Sequence, residues 1–322
     1  MAASRALATT ASIVGARRTP LVRPWAAADY WALTKPEVNF LIVIATGAGF
    51  YLGCPIHVDA FPLMPFVHTL LGTLLVASGA ATLNQYVERR FDAQMRRTAR
   101  RPLAAGRLDP SAALSFGIGV SFAGALYLAE AVNALASLLA VLTLASYIAA
   151  YTPLKRKTPL CTLVGACSGA MPPLIGWAAA AGRLGVEAWI LYAVLFLWQF
   201  PHVMAIAWIY REDYDRAGYL VLPSGARRSR FMAWQSALPA VALIPLSLTP
   251  TLLGHADRAY LIGALLLSSG FVWCATRLAV RRSNATARRL LLASIIYLPA
   301  LLGLMMAEKA WLALSMLGAA LP

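Results

Sequence analysis

The feature that most constrains this chain is the recurrence of long apolar segments along almost its whole length. A membrane-spanning helix needs about 20 mainly apolar residues, and nine segments approach or meet that length. Only 13% of the residues are charged, whereas a soluble domain carries about 25%. We therefore predict an all-α, polytopic membrane protein whose transmembrane helices lie near residues 38–54, 64–83, 111–129, 133–151, 160–181, 187–209, 231–253, 259–279 and 290–314.

The basic residues support this division and orient the chain. Their excess gives a formal net charge of +15, but the charges fall between the apolar segments, so we expect the partner to be the lipid bilayer and not nucleic acid. With nine spans, 25 of the 28 Lys and Arg residues lie on one face, and only Arg183, Arg258 and Lys309 lie on the other. The basic face should meet the cytoplasm, or the matrix in a mitochondrial protein.

The first 28 residues differ in composition from the rest. They contain Arg5, Arg17, Arg18 and Arg23, no acidic residue, and many Ala, Ser and Thr. A mitochondrial transit peptide has this composition, but composition alone is weak evidence, and we favour a flexible N-terminal arm of a bacterial protein. The remaining residues, 29–322, are predicted to form one transmembrane domain in the bacterial inner membrane, with the mitochondrial inner membrane as the alternative.

Acidic residues are scarce, and five of the 13 form two clusters after the second and sixth apolar segments. The first cluster has the sequence NQYVERRFD at 84–92. If the helix continues through it, Asn84, Glu88 and Asp92 lie within about 80° on one face, over about 12 Å of axis. An amide oxygen and two carboxylates suit Mg²⁺. The alternative is a solvated helix end whose acidic residues pair with neighbouring arginines.

The second cluster, Glu212, Asp213 and Asp215, falls on the same face as the first. Two carboxylate sets surrounded by Arg and Lys suit a diphosphate that is held by Mg²⁺, with cations completing the cage. A third basic-face element, YTPLKRKTP at 151–159, is by default a membrane-surface anchor. Beside the two acidic clusters, Lys155 and Arg156 would instead bind phosphate or assist a leaving group.

Together these segments resemble the UbiA-type intramembrane prenyltransferases, and more narrowly the protohaem IX farnesyltransferase branch of that family. The resemblance spans about residues 30–305, and its most specific part, 198–218, favours the haem branch over the quinone branch. The matching stretches are LTKP at 33–36, NQYVERRFD at 84–92, RTARRPL at 97–103, YTPLKR at 151–156, PPLIGW at 172–177, WQFPH at 198–202, YREDY at 210–214 and AG at 217–218.

The resemblance implies nine transmembrane helices around a central cavity, with both acidic clusters at its cytoplasmic end. It implies Mg²⁺ as the cofactor, farnesyl diphosphate and haem B as the substrates, and haem O as the product. A haem A synthase or an oxidase assembly factor is then an expected partner. Two positions depart from the pattern, because Glu88 stands where many relatives have Asp, and Cys161 stands where Asn is expected.

The resemblance also assigns roles to individual residues. It implies that the metal ligands are Asn84, Glu88, Asp92, Glu212 and Asp213. The catalytic set is predicted to comprise Asn84, Glu88, Asp92, Lys155, Arg156 and Asp213. The substrate-binding set is predicted to comprise Arg97, Arg101, His202, Tyr210, Glu212 and Arg216. For His202 two interpretations stay open, namely a contact to the haem iron or a propionate, and a histidine satisfied inside the protein.

Two other functions remain as alternatives. A prenyltransferase of the same family would act on a quinone precursor or another aromatic acceptor. A secondary transporter would also contain broken helices and buried polar groups. Transporter sites lie near the bilayer midplane, however, whereas these carboxylates gather at the helix ends.

Overall fold

A computed structural model describes residues 27–56, 60–225, 227–254 and 256–319. Within this part of the chain, nine helices are long and apolar enough to cross a membrane, which confirms the predicted all-α, polytopic class. The arm predicted over 1–28 lies outside the described residues, except that residues 27 and 28 begin the first helix.

The spans follow the predicted segments closely, with the largest extensions at the basic face. The second runs on to Asp92, and the ninth begins at Asn284. The helices in chain order are α1 (Ala27–Leu33), α2 (Pro36–Gly53), α3 (Leu63–Asp92), α4 (Pro110–Ala131), α5 (Ala134–Ala145), α6 (Thr152–Leu154), α7 (Cys161–Gly169), α8 (Met171–Ala181), α9 (Val186–Ile209), α10 (Arg211–Arg216), α11 (Arg227–Ser247), α12 (Thr249–Leu252), α13 (Arg258–Arg281) and α14 (Asn284–Ala319).

Local sequence explains where several of these helices begin. Asp109, Asn133 and Asp257 each accept a hydrogen bond from a backbone N–H in the first turn of the helix that follows. Such caps satisfy donors that a helix leaves free, and Pro110 follows Asp109 at a position where its missing N–H costs nothing. The starts of α4, α5 and α13 are therefore encoded locally.

Three of the nine spans are interrupted, at α5–α6, α7–α8 and α11–α12, and the first two are the ones that concern the central cavity. The span that begins with α5 passes through a π-helical turn, Ser146–Tyr151, before α6. Another breaks at Ala170, between α7 and α8, where Pro172 and Pro173 open the next helix. Proline lacks the N–H that would continue the preceding hydrogen-bond ladder. Both of these interruptions occur in helices that line the central cavity described below.

The helices form a ring in which α2 packs on α3, α8 and α14, while α9 packs on α7, α11 and α14. The outer surface of this ring exposes large apolar side chains, including Phe40, Phe122 and Leu266, each of them more than half exposed. A surface of this kind is stable against lipid and not against water. The chain is therefore a multi-pass membrane protein.

Candidate functional site

A cavity of about 460 Å³ lies at the centre of the ring, within the usual size range of ligand sites. Its walls come from α2, α3, α5, α7, α8, α9 and α14, and from the polar loop after α3. Lys35, Arg97 and Arg101 supply its charged groups, and most of the remaining wall is apolar. The cavity therefore offers cations to one part of a ligand and apolar surface to the rest.

The first acidic cluster is helical, as predicted, and it is buried. Helix α3 continues to Asp92, so Asn84, Glu88 and Asp92 share one face of the helix. Their exposed fractions are 1%, 5% and 1%. These values exclude the solvated helix end that the sequence left open. Burying two carboxylates has a large desolvation cost, which is tolerated only when cations or hydrogen-bond donors compensate it.

A cation from another part of the chain compensates each carboxylate. Lys155 Nζ lies 2.8 Å from Glu88 Oε1, and Arg101 Nη1 lies 2.7 Å from Asp92 Oδ2. Lys155 comes from the loop after α6, and Arg101 from the loop after α3. The structure thus joins three sequence segments that were predicted to carry site residues.

Asn84, Glu88 and Asp92 form a row along one face of α3. The amide of Asn84, the first residue of this row, is also held from two sides. Lys35 Nζ donates to Asn84 Oδ1 at 3.2 Å, and Asn84 Nδ2 donates to Thr152 Oγ1 at 3.3 Å. Lys35 precedes α2 and adopts a left-handed conformation, with φ of 50°. This conformation is uncommon for residues other than glycine. The surrounding packing holds Lys35 in it, and the ammonium group reaches both the row and the cavity wall.

The two lysines at the site are perturbed in opposite directions. Burial, together with the positive charges of Arg101 and Lys155, lowers the pKa of Lys35 to about 7. Burial alone would also lower the pKa of Lys155, but the neighbouring Tyr151 and Glu88 together outweigh burial and hold that pKa above its usual value. Lys155 is thus a fixed positive charge. Lys35 would regain a full charge when an anion binds beside it.

The donor set of the row fits a hard divalent cation. The Oδ1 atom of Asp92 is buried and has no hydrogen-bond partner in the described part of the chain, so a strong ligand atom is left available. The residues described do not bring three or more His, Cys, Asp or Glu side chains together as a complete metal site. Mg²⁺ does not require this, because it usually keeps water ligands and shares phosphate oxygens of the substrate.

The second acidic cluster lies at the same end of the molecule and contacts the loop that follows the first. Asp213 accepts hydrogen bonds from the backbone N–H groups of Arg96 and Arg97, both at 3.2 Å, and from Arg216 Nη1 at 3.0 Å. Burial would raise the pKa of Asp213, but these three donors together hold it below its usual value. Both carboxylate oxygens are therefore engaged within the protein.

The other predicted residues of this cluster lie further out. The side chain of Glu212 is 77% exposed and lies 3.9 Å from Arg211. The guanidinium of Arg97 stacks over the ring of Tyr210 at 4.9 Å, and that of Arg156 lies 4.1 Å from the Phe91 ring centroid. The structure thus places Arg97 on the cavity wall, and Tyr210 beside Arg97, while Arg156 and Glu212 are exposed.

His202 is on the cavity wall, distant in sequence from the acidic row. Its Nδ1 atom lies 2.8 Å from Ser294 Oγ of α14, and its ring stacks on Trp198 with centroids 4.7 Å apart. Trp198 Nε1 in turn donates to the Ser294 carbonyl at 2.8 Å. One ring nitrogen is thus held by the protein. The other, Nε2, has no hydrogen-bond partner within the described residues, and the imidazole borders the cavity.

Three residues that the structure brings into the site, Lys35, Ser294 and Tyr219, were not predicted as site residues from the sequence. Lys35 carried a signal, because it is the one cation in the LTKP stretch beside an apolar segment. Ser294 carried none, because its role depends on α14 packing against α9. Tyr219 also carried none. It is 4% exposed. Its hydroxyl lies beside Glu88, and burial together with the Glu88 carboxylate raises the pKa of that phenol.

Comparisons with known proteins agree with this architecture. Residues 40–298 match the model of the UbiA prenyltransferase family. Proteins named protoheme IX farnesyltransferase are similar over 87% of the chain. The one from Solibacter usitatus is 48% identical over 98% of its own length, and the one from Koribacter versatilis is 42% identical over 93%.

Solved structures share the fold at low sequence identity. A digeranylgeranylglyceryl phosphate synthase has a TM-score of 0.70 at 17% identity, and covers 88% of this chain and 98% of its own. A UbiA homolog from Archaeoglobus fulgidus bound to GPP and Mg²⁺ has a TM-score of 0.60 at 15% identity, with 88% of this chain and 99% of its own covered. At these identities the likeness concerns the fold alone.

Proposed function

Because the chain belongs to the UbiA prenyltransferase family, we propose that it transfers the farnesyl group of farnesyl diphosphate to the 2-vinyl group of haem B, with addition of water, to give haem O. The observation that carries prenyl transfer is the buried row Asn84, Glu88 and Asp92, which adjoins the cations of a mainly apolar cavity. The acceptor rests on the similarity to the two bacterial proteins that are named protoheme IX farnesyltransferase.

The diphosphate group would bind where the cations converge. Lys35, Arg97 and Arg101 border the cavity directly, and Lys155 stands behind them, paired with Glu88. Arginine and lysine both bind phosphate oxygens, and arginine does so in a bidentate manner. Positive charges that are already in place at this end would stabilise the negative charge that develops on departing diphosphate.

Mg²⁺ would be held by oxygens of Asn84, Glu88 and Asp92, with Asp92 Oδ1 as the atom already available. When bound, the ion neutralises diphosphate charge and so favours departure of the leaving group. The roles of Glu212 and Asp213 as further ligands stay a prediction. A metal contact of Asp213 would compete with the hydrogen bonds that it accepts from the loop at Arg96 and Arg97.

The farnesyl chain would occupy the apolar part of the cavity. Side chains such as Leu41, Val76, Ile175 and Leu298 line it from four different helices. Apolar walls favour burial of the hydrocarbon and exclude water from an allylic cation at C1, which would otherwise be captured early. The aromatic faces of Tyr147 and Trp198 border the same space, and aromatic faces attract cations.

The bond changes of the proposed reaction balance. The C1–O bond of farnesyl diphosphate breaks, and its electron pair leaves with diphosphate. The vinyl group of haem B supplies two electrons for the new carbon–carbon bond to C1. Water then adds to the remaining vinyl carbon and releases one proton. His202, held at Nδ1 by Ser294, would contact the haem through Nε2.

The basic ends of the spans would face the cytoplasm of a bacterium, with the chain in the inner membrane. The product would then be available to a haem A synthase or to an oxidase assembly factor as a partner.

The function can be tested with membranes that contain or lack the protein. The membranes are incubated with labelled farnesyl diphosphate and Mg²⁺, with either haem B or 4-hydroxybenzoate as the acceptor. We expect labelled haem O, identified by mass, only with haem B and only when the protein is present. Prenylated benzoate without haem O would replace the acceptor with a quinone precursor. Absence of any metal-dependent diphosphate release would favour the transporter instead.

A further inference from the structure

A second, smaller cavity of about 100 Å³ lies between the end of α13 and the start of α14. Its lining residues are Trp273, Cys274 and Arg277 of α13, and Thr286 and Arg289 of α14. None of these side chains borders the central cavity. Both helix ends belong to the basic face, so this cavity lies at the level of the lipid headgroups on that face.

The two charges at this cavity are positive and uncompensated. Within the described residues, Arg277 and Arg289 form no ion pair, whereas Arg101 and Arg228 of the same face each hold a carboxylate at 2.7 Å. The guanidinium of Arg277 lies over the ring of Trp273, 5.4 Å from its centroid. Two arginines thus line one small space, and no carboxylate of the described residues pairs with either, so the space suits an anion from outside the chain.

The size and surroundings of the cavity indicate which anion. Its volume is about three times the share of one water molecule in the liquid, which suits a compact tetrahedral group such as phosphate. Trp273 is 63% exposed on the outer surface of the ring, where aromatic side chains commonly meet lipid headgroups. The cavity is therefore reached from the lipid layer.

We propose that this cavity binds the phosphate group of an anionic membrane phospholipid. Arg277 and Arg289 would donate hydrogen bonds to the phosphate oxygens, because guanidinium groups match phosphate geometry. The ring of Trp273 would lie along the glycerol and upper acyl region. Basic pockets between transmembrane helices on the cytoplasmic side are suited to such headgroups.

The test uses the purified full-length protein in detergent and needs neither farnesyl diphosphate nor haem, so it is independent of the proposed reaction. The protein is titrated with phosphatidylglycerol, phosphatidylcholine or inorganic phosphate, and bound lipid is counted by native mass spectrometry. The test variant is Arg277→Gln/Arg289→Gln. The matched control is Arg281→Gln/Arg288→Gln, which removes two exposed arginines, one from the end of α13 and one near the start of α14, that border neither cavity.

We expect one phosphatidylglycerol to bind in preference to phosphatidylcholine in the wild type and in the control pair. In the test variant its affinity should fall by about fivefold for each arginine removed. The single variant Arg289→Gln changes an exposed side chain and gives the same comparison if the double variant does not fold. Equal losses in both pairs, no preference for the anionic lipid, or full competition by inorganic phosphate would each overturn the proposal.

Discussion

The carboxylate of Asp213 accepts a hydrogen bond from the backbone N–H of Arg97 at 3.2 Å. The two residues are 116 positions apart in the chain, and this contact joins the helix after α9 to the loop after α3. The same loop carries Arg101, which holds Asp92. The loop after α3 therefore connects the two acidic clusters, through its backbone on one side and through Arg101 on the other. A substitution in one cluster should change the geometry of the other.

Replacing Asp213 should loosen that loop. The substitution Asp213→Asn removes the charge from an acceptor of three hydrogen bonds, and we expect it to lower the free energy of unfolding by about 2 kcal/mol. The KM for farnesyl diphosphate should rise, because Arg97 and Arg101 lose a fixed position. Thermal unfolding in detergent and steady-state kinetics measure the two effects.

A neighbouring aspartate provides the control for this prediction. Asp215 is exposed and pairs only with Arg228 in the described residues, so Asp215→Asn should change stability by less than about 1 kcal/mol. A raised Mg²⁺ requirement in Asp213→Asn would add a metal-binding role to the anchoring role. If Asp213→Asn changed neither the stability nor the KM for farnesyl diphosphate, both the anchoring role and the metal-binding role would be contradicted.

Lys155 and Glu88 should each depend on the other for the stability of the protein. Lys155→Met leaves the Glu88 carboxylate buried beside one fewer cation. Because breaking a buried ion pair in this way is strongly destabilising, we expect the free energy of unfolding to fall by about 3–5 kcal/mol. Adding Glu88→Gln removes the stranded charge. The double variant should therefore recover much of the stability while remaining inactive in farnesyl transfer.

Unfolding midpoints of the single and double variants, combined as a double-mutant cycle, measure this coupling. The exposed Lys157 lies two residues on from Lys155, and Lys157→Met is the matched control, with little expected effect on either stability or activity. If the losses in the two single variants simply added in the double variant, the pair would not act as a unit.

The hydrogen bond between Ser294 and His202 predicts a specific effect on the acceptor. Ser294→Ala removes the hydroxyl that lies 2.8 Å from His202 Nδ1 and allows the imidazole to rotate. We expect the KM for haem B to rise by about five- to tenfold, equivalent to about 1–1.4 kcal/mol. The KM for farnesyl diphosphate should stay near its original value.

The histidine His68 serves as the comparison for this prediction, because its Nδ1 atom contacts Tyr127 and its side chain does not border the cavity. His68→Gln should leave the KM for haem B unchanged. An equal rise in both KM values after Ser294→Ala would instead mean that the cavity as a whole had changed shape.

The contact between α2 and α8 should not tolerate an added methyl group. A Cβ atom built on Gly176 would lie 1.9 Å from the carbonyl oxygen of Thr46, so Gly176→Ala must push two helix backbones apart. Overpacking of this kind costs about 1–3 kcal/mol or more. The cavity lies between these helices, and farnesyl transfer should fall as well.

A lipid-facing glycine offers a control with the same chemical change. Gly119 has open space around the position of a Cβ atom, and Gly119→Ala should stabilise α4 by up to about 1 kcal/mol, because alanine favours a helix more than glycine does. Unfolding measured in parallel separates the two sites. A similar melting temperature for both variants would mean that α2 and α8 are not closely packed in the membrane.

The all-α class, the nine spans and the basic face were predictable because a membrane helix must satisfy its backbone within itself. Each span then carries its own local signal of apolar length, and the loops carry the charge that orients them. The row of Asn84, Glu88 and Asp92 was predictable for a related reason, since residues four apart share one face of any helix. Continuation of α3 to Asp92 was the only structural condition.

The partners of that row were decided by the tertiary structure alone. Lys155 meets Glu88 across 67 residues, Lys35 meets Asn84 across 49, and Asp213 binds a loop more than 100 residues away. Such contacts depend on how the helices close into a ring, and no local pattern specifies that closure. The sequence therefore determined which side chains face the basic end of the membrane. The packing of the ring decided which of them neutralise one another and which remain free for a ligand.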